Sequence, residues 1–271
     1  MSLRRYARFV GTDGRPVLAR VVGVDDAGSP GPQAALIPQD GHLFGVLRDS
    51  GEPVPLASAT LLSPVEPSKV IGIGSNYKAH AVEMGRDLPP VPKMFVMPST
   101  AVTGPGAAIE KPPGSERVDH EAELAVVIGR RTTCVPEADA LSHVFGYTAC
   151  NDVTARDFQR ADKVFGRAKG FDTFCPLGPW ITVGLDPHDL RVQAWVDGTL
   201  RQDGRTSDLI FGIASLVSFV SHVMTLLPGD VISTGTPSGV GPLAAGQVVT
   251  VGVEGVGRLS NPVVDRSPRT A

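Results

Sequence analysis

The chain has 271 residues, with 25 Lys and Arg against 28 Asp and Glu and a formal net charge of −3, so no basic field points to nucleic acid or to an anionic membrane. It is long enough for one large domain, or one domain plus a small one. With no run of about 18 apolar residues and no basic–apolar–small leader, it is expected to be a soluble, unexported, cytoplasmic protein without membrane partners.

Residues 1 to about 65 read as a small β-rich unit: RYARFV, PVLARVVG, QAALIP and LFGVL are short strands between Gly, Asp and Pro turns, and SPVEPSKV is a Pro-rich joint. The main unit, 66–271, opens with KVIGIGSN, a strand and a polar turn. YKAHAVEMG has helical composition and ends on Gly85, a plausible residue just past a helix. DLPPVPK breaks the chain. PEADALSHVFG predicts a helix with Pro136 and Glu137 in its first turn, and TARDFQRADKVFGRA predicts another with a frayed end. VQAWVDG and LRQDGRT form a hairpin with Asp197–Gly198 as a type I′ turn. In DLIFGIASLVSFVSHVMTLLPGD, residues Leu209, Ile213, Leu216, Val217 and Val220 recur at helical spacing. The strands VISTG, QVVTVGVEGVG and SNPVV finish the chain. The dispersed Gly and Pro between short Val/Ile/Leu runs mark a mixed α/β, strand-rich fold.

Glu121 and Glu123 stand two apart inside an apolar, β-branched run. On a strand such positions share a face, so Ala122, Leu124 and Val126 turn the other way into packing. Two acids side by side repel, and burying them unpaired is costly. A cation offsets both costs, and an oxygen-only ligand set suits Mg²⁺, Mn²⁺ or Ca²⁺ better than zinc. Asp152 closes the run VFGYTACN, where a strand end can present a third oxygen. The competing reading is a solvated strand face, or ion pairs to Arg117, Arg130 or Arg131.

His80 and Glu83 lie three apart on a predicted helix and can meet. A Glu on one imidazole nitrogen fixes the tautomer and makes the other nitrogen a better base; the alternative is a surface ion pair. If a helix starts near Thr154, Arg156 and Gln159 are i,i+3 neighbours suited to carboxylate and carbonyl groups. Gly72 and Gly74 lack the third glycine and the βαβ unit of a dinucleotide fingerprint, so a tight strand exit is the better reading. Cys134, Cys150 and Cys175 are odd in number and without CxxC spacing, against a disulfide scaffold or zinc ribbon; Cys150 and Cys175 are expected to be buried, inert thiols.

The stretches IGIGSNYKAHAVEMG, VDHEAELAVVIGR, GYTACNDVTARDFQ, KGFDTFCPLGPW and LLPGDVISTGTPSGVGP, in this order, make the chain from about Lys69 to Pro262 resemble the fumarylacetoacetate hydrolase superfamily. The resemblance implies a distorted, barrel-like β-roll and a homodimer. It implies that Glu121, Glu123 and Asp152 hold a divalent ion, usually Mg²⁺, and that His80 and Glu83 form a dyad on a mobile lid. It places Lys169 near the ion, makes Arg156 and Gln159 contacts for the acid end of the substrate, and sets Thr236 against the substrate carboxylate. Asp157 and Asp172 are weaker correspondences. Met97 stands where many members carry Lys, which is expected to make the pocket more apolar.

The expected activity is Mg²⁺-dependent hydrolysis of a C–C bond in an acylpyruvate-like 2,4-dioxo acid through a metal-bound enolate. The alternative is an isomerase, tautomerase or decarboxylase of a 2-hydroxymuconate-like or 2-oxo diacid in aromatic catabolism. A metal-retaining binding protein without turnover is a rival of another class, and a nicotinamide oxidoreductase rests only on the weak GxG. The segment YKAHAVEMGRDLPPVP has few apolar anchors and is expected to be mobile without ligand.

Overall fold

A computed structural model describes residues 3–83, 85 and 87–267. Met84 and Arg86, which fall inside the expected lid, lie outside the described residues. The chain is strand-rich mixed α/β, as its composition predicts. One thirteen-stranded sheet runs, in spatial order, through Leu47–Asp49, Pro30–Gly41, Pro16–Val24, Arg4–Val10, Cys175–Val183, Val144–Asn151, Ala122–Ile128, Val231–Ser233, Val70–Gly74 and Lys93–Met97, with three short strands beside this path. The path is open at both ends, so strand pairing does not close it into a barrel. A five-stranded sheet packs against it, centred on Arg191–Val196, Val248–Val253 and Gly257–Asp265, and a three-stranded one joins Thr154–Ala155, Val118–His120 and Gly241–Pro242.

The first strand ties the N-terminal segment to the rest: Arg5 pairs with Thr182 and Tyr6 with Ile181. LFGVL is not a strand; a turn closed by Gly45 N–H on His42 O occupies its first half, and pairing resumes only at Leu47. The hairpin turn is as expected, with φ of 49° at Asp197 and 76° at Gly198, the two positive values that a type I′ turn requires.

The acid-bearing strand Ala122–Ile128 is buried at every position. Ala122, Leu124, Val126 and Ile128 face the main core with Ile71, Val192 and Val251, and with Leu216, Val217 and Val220 of the helix Ile213–Val223. Ala125 and Val127 face a second core with Val70, Met97, Cys150 and Cys175. Burial on both faces explains the near-continuous apolar run. Helix Ile213–Val223 starts four residues later than its spacing suggests, because Leu209 bridges to Tyr77 instead. The apolar run from Leu209 onward therefore includes ordinary core.

Candidate active site

Strand register builds the acid cluster. Ala122 lies opposite Asn151 and Glu123 opposite Cys150. Asp152 N–H donates to Glu121 O at 2.9 Å, and Asn151 Oδ1 accepts Glu121 N–H at 3.0 Å. The ends of two antiparallel strands thus bring Asp152 beside the Glu121–Glu123 pair, and one carboxylate oxygen from each lies within 4.8 Å of the others. All three acids are buried, which rules out the solvated strand face.

The expected arginine partners do not reach the cluster. Arg117 pairs with Asp119 and Arg130 donates to Ser142. Instead, Arg156 Nη2 donates to Glu121 Oε1 at 2.5 Å, while Lys169 Nζ donates to Glu121 Oε2 at 2.8 Å and to Asp152 Oδ2 at 2.5 Å. Glu123 is held differently: its Oε2 accepts from Ser233 Oγ at 2.6 Å and from Gly235 N–H at 2.8 Å. Electrostatics divides the three acids accordingly. Burial alone would raise the Glu121 carboxyl, but Lys169 and then Arg156 hold it well below the usual range. Burial, then Asp152 and Glu121, push Glu123 well above it. Burial raises Asp152 to about 6, against the pull of Lys169. Burial opposes the Lys169 charge, yet Asp152 and Glu121 raise its ammonium above the ordinary value. With three acids facing two cations, the pocket has an unbalanced carboxylate, and protons held there are what a bound cation displaces. Asp152 Oδ1 is buried without a hydrogen-bond partner among the described residues. An unused, inward-facing oxygen in an all-oxygen set fits a hard divalent ion.

His80 completes the pocket. Its helix, Lys78–Glu83, follows the strand Val70–Gly74, and the imidazole is 5% exposed. Nδ1 meets Glu83 Oε2 at 3.0 Å, and Glu83 Oε1 accepts Gly239 N–H at 2.9 Å. With Nδ1 engaged, Nε2 is the nitrogen left for chemistry. His80, Glu121, Glu123, Asp152, Arg156, Gln159, Lys169 and Thr236 line one cavity of about 20 Å³, which has room for about one water. Arg156 and Gln159 sit on the helix Arg156–Asp162, and Arg156 Nη1 donates to Gln159 Oε1 at 3.1 Å. That helix starts two residues after Thr154, which is instead paired in the three-stranded sheet. A larger groove of about 790 Å³ lies by Trp180 and Trp195; its Arg191 and Arg205 pair with Asp203 and Asp189, Glu254 lies 3.6 Å from Arg205, and Arg258 stacks on Trp195.

Several readings change on contact with the structure. Met97 is fully buried in the second core and is not among the residues that line the cavity; the apolar side of the pocket comes from Ile73 and Phe165. Lys169 Nζ also lies 5.0 Å from the Phe95 ring centroid, and Gly72 is required because a Cβ there would sit 2.1 Å from Phe95 Cζ. The strand bearing Gly72 runs into a six-residue helix and then an antiparallel strand, which removes the βαβ unit a dinucleotide site needs. Asp157 accepts from Ser115 Oγ and Glu116 N–H, and Asp172 lies beside Arg266; both brace loops. Thr234 and Thr236 donate their hydroxyls to Leu124 O and Ala122 O, both at 2.9 Å, sewing the turn to the acid strand. Cys150 and Cys175 are buried, with sulfurs 3.8 Å apart.

Asp119 was not singled out in the sequence, although it stands two residues before Glu121 and continues the same alternation. It is buried and accepts from Arg117 Nε at 2.9 Å and from Arg156 Nε at 2.8 Å, so it aims Arg156 at Glu121. Ser233 and Gln202 carried no local signal.

The sequence profile described as Fumarylacetoacetate (FAA) hydrolase C-terminal matches residues 69–264. The chain is 46% identical over 198 residues to the mitochondrial oxaloacetate tautomerase of Oryza sativa subsp. japonica, covering 70% of this chain and 86% of that one. Among solved structures, 5-carboxymethyl-2-hydroxymuconate delta-isomerase from Mycobacterium smegmatis superposes with a TM-score of 0.88 at 46% identity, over 97% of this chain and all of that one. Maleylpyruvate hydrolase from Sphingobium sp. SYK-6, in complex with manganese(II) and pyruvate, gives 0.78 at 31% identity, with the same coverage of 97% and 100%.

Proposed function

Because the chain belongs to the fumarylacetoacetate hydrolase family, we propose that it is a divalent-metal-dependent enzyme that interconverts the keto and enol forms of a small 2-oxo acid. The observation that carries this reading is the His80–Glu83 pair facing Glu121, Glu123 and Asp152 across one cavity. Glu121, Glu123 and Asp152 would hold the ion, Mg²⁺ or Mn²⁺ by their all-oxygen chemistry. Such an ion would supply Lewis acidity that stabilises the negative charge an enolate develops.

The remaining work falls to side chains. His80 Nε2 takes a proton from C3, the C–H electron pair moves into a C2=C3 bond as the C2=O π pair moves onto the oxygen, and the proton held on His80 is then passed to that oxygen, restoring the neutral imidazole. Glu83 fixes the Nδ1–H tautomer and stabilises the imidazolium. Lys169 keeps Glu121 and Asp152 ionised, and Arg156, Gln159 and Thr236 border the place where the substrate carboxylate would lie. The helix carrying His80, with two of its six residues buried, would open for entry and close for the proton transfer.

Hydrolysis of an acylpyruvate is the second reading, favoured by the similarity to maleylpyruvate hydrolase; it needs the same dyad to activate a water. The intact dyad argues against a binding protein without turnover. We further propose a homodimer, on family membership alone, to be checked by light scattering at micromolar concentration. No helix among the described residues is long and apolar enough to cross a membrane.

Proton NMR in D₂O with Mg²⁺ decides between the readings. Oxaloacetate should exchange its C3 protons without cleavage at a rate set by enzyme concentration. Cleavage of acylpyruvates to pyruvate, without exchange on oxaloacetate, would replace the tautomerase reading by the hydrolase. Neither reaction across acylpyruvates, oxaloacetate and hydroxymuconates would defeat both.

A further inference from the structure

We propose that Gln202 is a positioning residue for the acid pair: its side-chain amide takes the place of a missing strand and clamps the backbone between Glu121 and Glu123. The inference rests on the reading that these acids hold a divalent ion. Strand Val231–Ser233 pairs with the acid strand only at Ala125, Val126 and Val127, and Thr234 N–H adds one bond to Leu124 O. The chain then turns at Gly235, with φ of 104°. Along that edge the next backbone groups belong to Ala122, the residue between the two acids, and no strand reaches them.

Gln202 does, from the far strand Thr199–Arg205. Its Oε1 accepts Ala122 N–H at 2.9 Å, its Nε2 donates to Thr236 Oγ1 at 2.7 Å, and Thr236 Oγ1 donates to Ala122 O at 2.9 Å. The three bonds close a ring around Ala122 and satisfy its N–H and its carbonyl together. The second proton of Nε2 goes to Pro237 O at 2.8 Å, and Oε1 also faces His120 Nδ1 at 2.9 Å. Each polar position of the amide is therefore used. Its orientation is fixed by partners that can act in only one sense, since Ala122 N–H only donates and Pro237 O only accepts. It follows that His120 carries its proton on Nδ1.

Gln202 is fully buried. No shorter amide spans the gap, an apolar side chain orphans Ala122 N–H, and a carboxylate sets an acceptor against Pro237 O. Glu121 and Glu123 flank the clamped residue, so freeing Ala122 loosens the distance between two ligand carboxylates. Groups that orient metal ligands in this way typically contribute about 10–100-fold to metal affinity or activity.

The test uses Gln202→Met and Gln202→Glu, with Leu36→Ala in the N-terminal core as a control for general destabilisation. Mn²⁺ affinity by calorimetry and the ¹⁵N imidazole signals of His120 are read in each. Gln202→Met should weaken Mn²⁺ binding by about 10–100-fold and lose the fixed Nδ1–H signature, while Leu36→Ala keeps both. Gln202→Glu retains the acceptor and should keep the His120 signature while still weakening Mn²⁺. If Gln202→Met does not fold, Gln202→Glu alone decides. Mn²⁺ affinity within twofold of wild type in a folded Gln202 variant overturns the inference alone. Wild-type protein that takes up no Mn²⁺ overturns the reading of the acid cluster and the inference with it.

Discussion

Glu123 lies on a strand buried at all seven positions and paired on both edges, whereas His80, across the same cavity, lies on a helix of six residues with two of them buried. Backbone ladders, Lys169, Arg156, Ser233 and Gly235 immobilise the acids. Among the described residues the helix is tied down by the Tyr77–Leu209 bridge and by Glu83 on Gly239 N–H. One half of the site is therefore preorganised for a cation, and the other half rides on an element with little burial to hold it. A rigid ligand set with a movable base suits a reaction in which the substrate enters before the proton is taken.

Removing Lys169 should break the rigid half most severely. Lys169→Met leaves Glu121 and Asp152 buried beside fewer cations, and a broken buried pair costs about 3–5 kcal/mol. A fall of several degrees in Tm is expected for metal-free protein, with turnover lost; an unchanged melt would mean the acids are not held as described. His80→Ala should separate the halves. It is expected to lower kcat by about 10²–10⁴ with Tm and Mn²⁺ affinity nearly unchanged, and loss of metal binding would show that the histidine belongs to the rigid half.

Hydrogen exchange sharpens the contrast further. Residues 77–92 should gain protection when Mg²⁺ and oxalate are added, while Ala122–Ile128 is protected in both states; equal protection of 77–92 in both would remove the movable half. The smallest effect is on pH. In metal-free protein burial raises Asp152 to about 6, above its unfolded value near 3.9. The folded state then binds the extra proton between those values, so this contribution to stability is full below about pH 4 and is lost as pH rises through about 6. Asp152→Asn should flatten that part of the Tm profile. Mg²⁺ affinity should move the opposite way, strengthening with pH as the ligands lose protons.

The acids were legible because strand alternation is a local signal: Glu121 and Glu123 share a face by spacing, and Asp152 ends the neighbouring run. His80 and Glu83 were legible for the same reason at helical spacing. Lys169, Arg156, Gln159 and Thr236 needed the family resemblance, since nothing near them in sequence says what they face. Gln202 and Ser233 were invisible, because each reaches the acid strand from an element far along the chain. Met97 misled in the other direction. It stands where many family members carry Lys, but the strand Lys93–Met97 delivers the side chain into a core shared with Cys150 and Cys175.

The strand Arg4–Val10 carries a consequence for how the chain is made. On one edge it pairs with Pro16–Val24, available almost at once; on the other, Arg8 and Phe9 meet Leu61–Leu62, but Arg4, Arg5 and Tyr6 wait for Cys175–Val183. During synthesis the N-terminal meander can form while more than half of the polypeptide is still to come, and until Cys175–Val183 arrives Arg4, Arg5 and Tyr6 present an open edge to any other nascent chain. Insertion of that edge beside Cys175–Val183 is a high-contact-order event and should be among the late steps of folding. A fusion or truncation that disturbs Arg4–Val10 should therefore reduce the yield of folded protein, by aggregation during expression, well before it alters the chemistry of the finished site.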